Sequence, residues 1–160
     1  MSACPAALAV VPQGFPDVSS PTNNRRILDA IITGLAPPPP CVPRFSLPRP
    51  KSWSYGTLFG TAHPTSAETW CPGVVFGGYL ACLVDQYAGL VMLSILPDGA
   101  SFLTASTKID AQRPMRPGAA TISAEIVRVT QRDATVEVTV SQQDKTVSLA
   151  TIRQVIGYGR

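Results

Sequence analysis

Histidine, charge and paired cysteine motifs are all scarce in this chain of 160 residues. With a single histidine, His63, there is too little imidazole for a structural zinc site. Cys4, Cys41, Cys71 and Cys82 have no C-x-x-C spacing, so they read as free thiols in a reducing cytosol. Charged residues make up only 14% of the chain, below the usual quarter, which suggests that a partner subunit covers part of the surface. The net charge is +3, with no basic run and no aromatic-basic interleaving, which argues against a nucleic-acid partner. The apolar patch at residues 6–11 has no basic segment before it, so no cleaved signal peptide is expected. The length suits one domain with a core of its own, and no internal repeat is visible.

Long apolar runs are not scarce. Residues 74–96 read VVFGGYLACLVDQYAGLVMLSIL, with a glycine pair near the start and one acid, Asp85, inside. Such a helix is either buried in a core or spans a membrane. An ionisable group at mid-span is costly in lipid. No Lys or Arg stands within ten residues on either side to orient a span. A buried central helix is therefore favoured over a membrane segment.

Residues 1–52 form a proline-rich extension, with prolines at 5, 12, 16 and 21, a run at 37–40, and more at 43, 48 and 50. Proline fixes φ and removes a donor, so this is extended chain rather than sheet. Between the proline groups, NNRRILDAIITGL predicts one short amphipathic helix. Asn23 or Asn24 serves as its cap, Ile27, Leu28, Ile31, Ile32 and Leu35 recur at helical spacing, and Gly34 sits near its end. It is either a surface accessory or a lid over a ligand site.

Residues 53–160 carry the strand signals. Residues 54–61 alternate, and Pro97-Asp98-Gly99 marks a turn after the helix. Residues 101–112, 120–130, 135–141 and 146–156 are rich in Val, Ile and Thr with period two. Hairpin turns are expected near 131–133 and 143–145. The expected class is α+β, one antiparallel sheet wrapped around one long helix.

Two features of the helix suggest chemistry. Gly77-Gly78 leave first-turn amides without intrahelical partners or shielding side chains, a candidate oxyanion site at the positive end of the helix dipole. Asp85 in so apolar a helix is expected to lose solvation, which raises a carboxyl pKa towards the range of a base or nucleophile. The bland alternative is a buried ion pair with Lys108 or Arg113. Gly77 and Asp85 lie eight residues apart, roughly 12 Å along a helix, so one small carbonyl cannot touch both in one chain. A shared site needs two antiparallel helices from an isologous dimer.

The segment Pro72-Gly73-Val74-Val75-Phe76-Gly77-Gly78, then Leu83-Val84-Asp85, then Arg113-Pro114 with Gly118 beyond, resembles the hot-dog-fold acyl-CoA thioesterases. The phenylacetate-pathway and 4-hydroxybenzoyl-CoA groups are nearest. The resemblance implies a hot-dog fold and hydrolysis of an acyl-CoA or acyl-carrier-protein thioester. It implies a homodimer or dimer of dimers in the cytoplasm, with no metal or cofactor. It gives Gly77 the carbonyl-binding amide and Asp85 of the other subunit the role of nucleophile or base. It gives Thr104 the placement of water, with Thr107 as the fallback.

Many members carry His and Asn or Gln where this chain has Phe76 and Trp70, so those aromatics, with Gly78, are read as substrate-binding. For coenzyme A phosphates the candidates are Arg113, Arg116, Arg128 and Arg132, whose forked donors suit phosphate. The alternatives are a non-hydrolytic thioester binder and a dehydratase or isomerase that depends on His63. The glutamate of hot-dog dehydratases would fall near Gly78 and is absent.

Overall fold

The structure is a computed structural model that describes residues 11–158; Cys4 and most of the apolar patch at 6–11 lie outside them. In chain order the elements are α1 (Asn23–Thr33), α2 (Cys41–Arg44), β1 (Pro50–Ser54), β2 (Thr57–Ala62), a 3-10 turn (Ser66–Glu68), β3 (Thr69–Cys71), β4 (Val74–Val75), α3 (Gly77–Met92), β5 (Ala100–Ala111), β6 (Ala120–Val129), β7 (Asp133–Gln142) and β8 (Lys145–Tyr158).

Six strands form one antiparallel sheet in the order β1-β2-β6-β7-β8-β5, and α3 packs across it. Sequence period explains why. Tyr79, Leu80, Leu83, Val84, Tyr87, Ala88, Val91 and Met92 recur at helical spacing and are all buried. They meet alternate residues of the strands, among them Ile122, Ala124 and Ile126 of β6 and Val136, Val138 and Val140 of β7. Each fully buried aliphatic side chain contributes about 1.5–3 kcal/mol, which fixes the helix against the sheet. The α+β layout of a sheet around one long helix is as expected. No helix among the described residues is long and apolar enough to cross a membrane.

Local details differ from the expectation. Val74 and Val75 are not helical: they pair with β3, after a turn in which Gly73 takes φ 78°. The stretch at 54–61 is not one strand: Ser54 ends β1, and Thr57–Ala62 returns as β2, the second half of a hairpin. Gly56 at φ 74° turns β1 into β2. The cap of α1 is Thr22, whose hydroxyl accepts from the Arg25 amide; Asn23 and Asn24 lie inside the helix. Asn24 instead donates to the Leu96 and Pro97 carbonyls, tying α1 to the end of the α3 segment. Ile27 and Leu35 are exposed while Arg25 is buried, bonded to the Ser94 carbonyl at 2.9 Å.

The hairpin turn at 143–145 is present, with Gln143 and Asp144 both at positive φ. Among the described residues β5 pairs only with β8, and its outer edge is open: Leu103 is 61% exposed.

Candidate active site

The entry to α3 is held from two sides. The Val75 amide donates to the Met115 carbonyl at 2.8 Å, and the Phe76 amide to the Glu68 carbonyl at 2.7 Å. Phe76 occupies the N-cap and has no side-chain acceptor to offer. Its carbonyl takes the Tyr79 and Leu80 amides. The Gly77 and Gly78 amides, in the first turn, therefore have no intrahelical acceptor and stand at the positive end of the dipole. A Cβ on Gly77 would meet nothing within 4 Å, so that residue is bare without any packing need for it. Gly78 differs: a Cβ there would run into the Phe76 ring. Phe76 in turn stacks on Trp70, with centroids 6.0 Å apart and planes at 27°. Both aromatics are exposed on the single chain.

Two turns along α3, Asp85 accepts a hydrogen bond from the Thr104 hydroxyl at 2.7 Å. Thr104 and not Thr107 reaches the acid. Asp85 is exposed on the single chain, which corrects the expectation of a desolvated acid. Its position explains this: it falls one turn round from the buried stripe, on the face carrying Gly78, Cys82 and Gly89. The buried ion pair with Lys108 or Arg113 does not form. Lys108 pairs with Asp110 at 3.0 Å, and Arg113 donates to the Thr146 carbonyl at 2.7 Å.

Behind Thr104 stands Gln154, which the sequence reading did not single out. It is fully buried, with Oε1 3.3 Å from the Thr104 oxygen and Nε2 without a partner. Thr104 has one proton, and the carboxylate takes it. Turning the amide over gives Nε2 the Thr104 oxygen as acceptor and completes a Gln154–Thr104–Asp85 chain. A signal existed: Ala150, Ile152 and Ile156 are the buried apolar side of β8, and Ser148 and Gln154 are the polar residues on that side.

The arginines separate into two groups. Arg113 and Arg116 line a hollow of about 490 Å³ together with Gln142, Gln143 and Lys145. The Gln142 side chain bonds both the amide and the carbonyl of Arg116, at 2.9 Å each. Arg128 and Arg132 lie elsewhere, at the opposite end of β6 and β7, where Arg128 stands across from Thr135. The Thr130 hydroxyl, and then Arg153, hold the Asp133 carboxyl below its usual range. Arg128 is therefore not part of the cationic hollow. His63 is exposed at the end of β2.

Within one chain, then, Asp85 joins Thr104, the aromatics join the glycines, and Arg113 joins Arg116. Asp85 and Gly77 remain about two turns apart on one helix.

Residues 72–149 match the family model of the thioesterase superfamily. Through this stretch, just under half of its length, the chain is similar to that superfamily. Its fold is the hot-dog fold. Similar solved structures include a phenylacetic acid degradation-related protein from Ralstonia eutropha JMP134, 25% identical with TM-score 0.72, covering 80% of this chain and 98% of that one. A Streptococcus mutans UA159 protein bound to acetyl CoA is 26% identical with TM-score 0.63, covering 69% of this chain and 89% of its own. The Escherichia coli PaaI protein of the phenylacetic acid degradation operon shares the fold at 18% identity and TM-score 0.71, covering 84% and 96%. No curated protein matches this chain.

Proposed function

We propose that this protein, similar to the thioesterase superfamily over residues 72–149, hydrolyses an acyl-CoA thioester at sites shared by two copies of the chain. The observation that carries the reading is the 2.7 Å bond from Thr104 to Asp85, on an exposed face of the helix that opens with bare Gly77. Thr104 fixes one carboxylate oxygen and leaves the other to a water. Asp85 takes a proton from that water as its oxygen adds to the thioester carbonyl. The oxyanion forms beside the Gly77 amide of the partner subunit, with Gly78 next to it. Collapse breaks the C–S bond, and the thiolate leaves with the proton from Asp85. The products are a carboxylic acid and a free thiol. Direct attack by Asp85 to give an anhydride, then hydrolysed, uses the same geometry.

The open edge of β5 and the exposed Asp85 face of α3 support an isologous pair of chains, antiparallel at the helices. Sedimentation equilibrium tests this: a monomer at assay concentration sinks the shared site. Coenzyme A is favoured over a carrier protein by the hollow that gathers Arg113, Arg116 and Lys145, which suits a phosphate cluster. The acetyl CoA bound to the Streptococcus mutans relative agrees. Free thiols at Cys41, Cys71 and Cys82 suit the cytosol as its location.

A second reading, thioester binding without turnover, is favoured by one observation. Trp70 and Phe76 stack where many members hold polar side chains. Steady-state release of coenzyme A thiol separates the two. Turnover lost in Asp85→Asn supports hydrolysis, and tight binding with no thiol release supports the binder.

A further inference from the structure

We propose that the N-terminal extension is the outer wall of an acyl-binding pocket, and that the group it takes is uncharged, apolar and longer than acetyl. The proposal rests on the reading of Asp85 as the group that acts on the thioester.

A groove of about 380 Å³ runs between the extension and α3, within the range of small-molecule sites. Its inner wall is α3, where Cys82, Asp85, Gln86 and Gly89 recur at helical spacing, and Phe102 of β5 adds to the lining. Its outer wall is Pro38, Pro39, Val42, Phe45 and Leu47, all apolar. Asp85 is thus both the hydrogen-bonded acid of the site and part of this lining. A carbonyl placed for attack at Asp85 has an apolar trough next to it for the rest of its acyl group. Among the described residues Arg49 is the only cation of the lining, and it is exposed and lies against Gly34. No buried positive group waits for a second carboxylate, so the class of ligand is a neutral aliphatic or aromatic acyl group.

The outer wall is built, not draped. The Gln86 side chain donates to the Pro48 carbonyl at 3.1 Å, and the Tyr79 hydroxyl to the Ser46 carbonyl at 3.4 Å. The Leu47 amide closes back on the Val42 carbonyl at 2.9 Å. Further back, the Trp53 indole donates to Asp29 at 2.7 Å and the Arg25 guanidinium to the Ser94 carbonyl, which seats α1. Prolines on either side of Val42 hold φ near the bound shape, so little chain entropy is lost when a ligand enters. The wall residues all precede residue 72, where the superfamily match begins, so this half of the pocket is the chain's own.

The test uses S-alkyl coenzyme A thioethers, which have no carbonyl to hydrolyse, titrated calorimetrically into the full chain from ethyl to dodecyl. Affinity is expected to rise by up to roughly fourfold per methylene, the equivalent of about 0.8 kcal/mol, and then level off when the groove is full. In Val42→Trp, which fills the groove from the extension side, the octyl-to-ethyl affinity ratio falls tenfold or more. Phe45→Ala, at a half-exposed position with little core to lose, moves the plateau to longer or bulkier chains and serves if the first variant fails to fold. Affinity independent of chain length in the wild type overturns the proposal, as does a length dependence that both variants leave unchanged. If the length dependence responds as expected while Asp85→Asn still hydrolyses acyl-CoA at the wild-type rate, the pocket stands and the catalytic reading of Asp85 falls.

Discussion

Replacing Thr104 by Val removes one oxygen and almost no volume. It asks what the bond to Asp85 does. The bond is short, 2.7 Å, and its acceptor is a carboxylate. Hydrogen bonds to charged groups are worth about 1.5–3 kcal/mol. On the exposed face of α3 water can take over as donor, so most of that energy is not lost from folding. Valine also suits a strand better than most residues. The fully buried Gln154 amide does lose its Thr104 partner, so we expect a stability cost of about 1–3 kcal/mol, which in a chain of this size lowers the melting temperature by roughly 2–12 °C. Catalysis has no such substitute, because bulk water does not hold one carboxylate oxygen in place. If the full bond energy acts at the transition state, kcat/KM for acyl-CoA falls roughly 10- to 150-fold, while Thr104→Ser recovers most of it. The assay is release of coenzyme A thiol, read with a disulfide dye, beside a thermal melt. A valine variant within twofold of wild type in kcat/KM refutes the positioning role of Thr104. A variant that loses activity only because it melts early refutes it as well.

Other outcomes follow from single contacts. Gly60→Ala places a methyl against the buried Tyr87 hydroxyl and is expected to cost about 1–3 kcal/mol by chemical denaturation, part of which Tyr87→Phe restores. Burial pushes the Tyr87 phenol well above its usual range, so the ring stays neutral and Tyr87→Phe alone is expected to be neutral or mildly stabilising. Acid should weaken the fold. The hydroxyls of Ser19 and Ser20 lower the Asp17 pKa, the Thr65 amide lowers that of Glu68, and the Thr130 hydroxyl lowers that of Asp133. Each binds fewer protons folded than unfolded, so its contribution is present above the unfolded value and is lost as pH falls through the folded one. Melting temperature should be level from neutral to about pH 5 and drop below it, less steeply in Asp133→Asn. Arg113→Ala with Arg116→Ala should raise KM for acyl-CoA but not for the matching acyl-pantetheine, in thiol-release kinetics on both substrates. An equal rise on both places the phosphates elsewhere.

The helix and strands were legible because their burial is periodic. The run at 74–96 favoured a core helix over a membrane span, and β6, β7 and β8 alternate between buried and outward residues, while β5 is exposed along most of its length. The ends were less legible. A run of valines before a glycine pair has no periodic sign that Val74 and Val75 pair as strand instead of opening the helix. That decision is made by the Glu68 carbonyl, in the turn just before, and by the Met115 carbonyl, far off in sequence. Thr104 was indicated only by the resemblance to the thioesterases, as the residue that places water; Asp85 was legible as the one acid of the apolar helix. That the acid is open to solvent was not, because the width of the buried stripe on α3 is set by how far the sheet curls. The groove of the extension was hidden for the same reason. Prolines carry no period, and only the folded chain shows that Val42 and Phe45 stand opposite Asp85.

One measurement bears on the central claim most directly: kcat/KM for thiol release from short, long and aromatic acyl-CoAs by the wild type and by Asp85→Asn, with dimer content and melting temperature checked for both. The account predicts turnover in the wild type and a loss of roughly 10²–10⁴-fold in a folded, dimeric variant, the usual weight of a general base. An Asp85→Asn protein within tenfold of wild type contradicts it, and places the chemistry on a group other than the acid of the central helix.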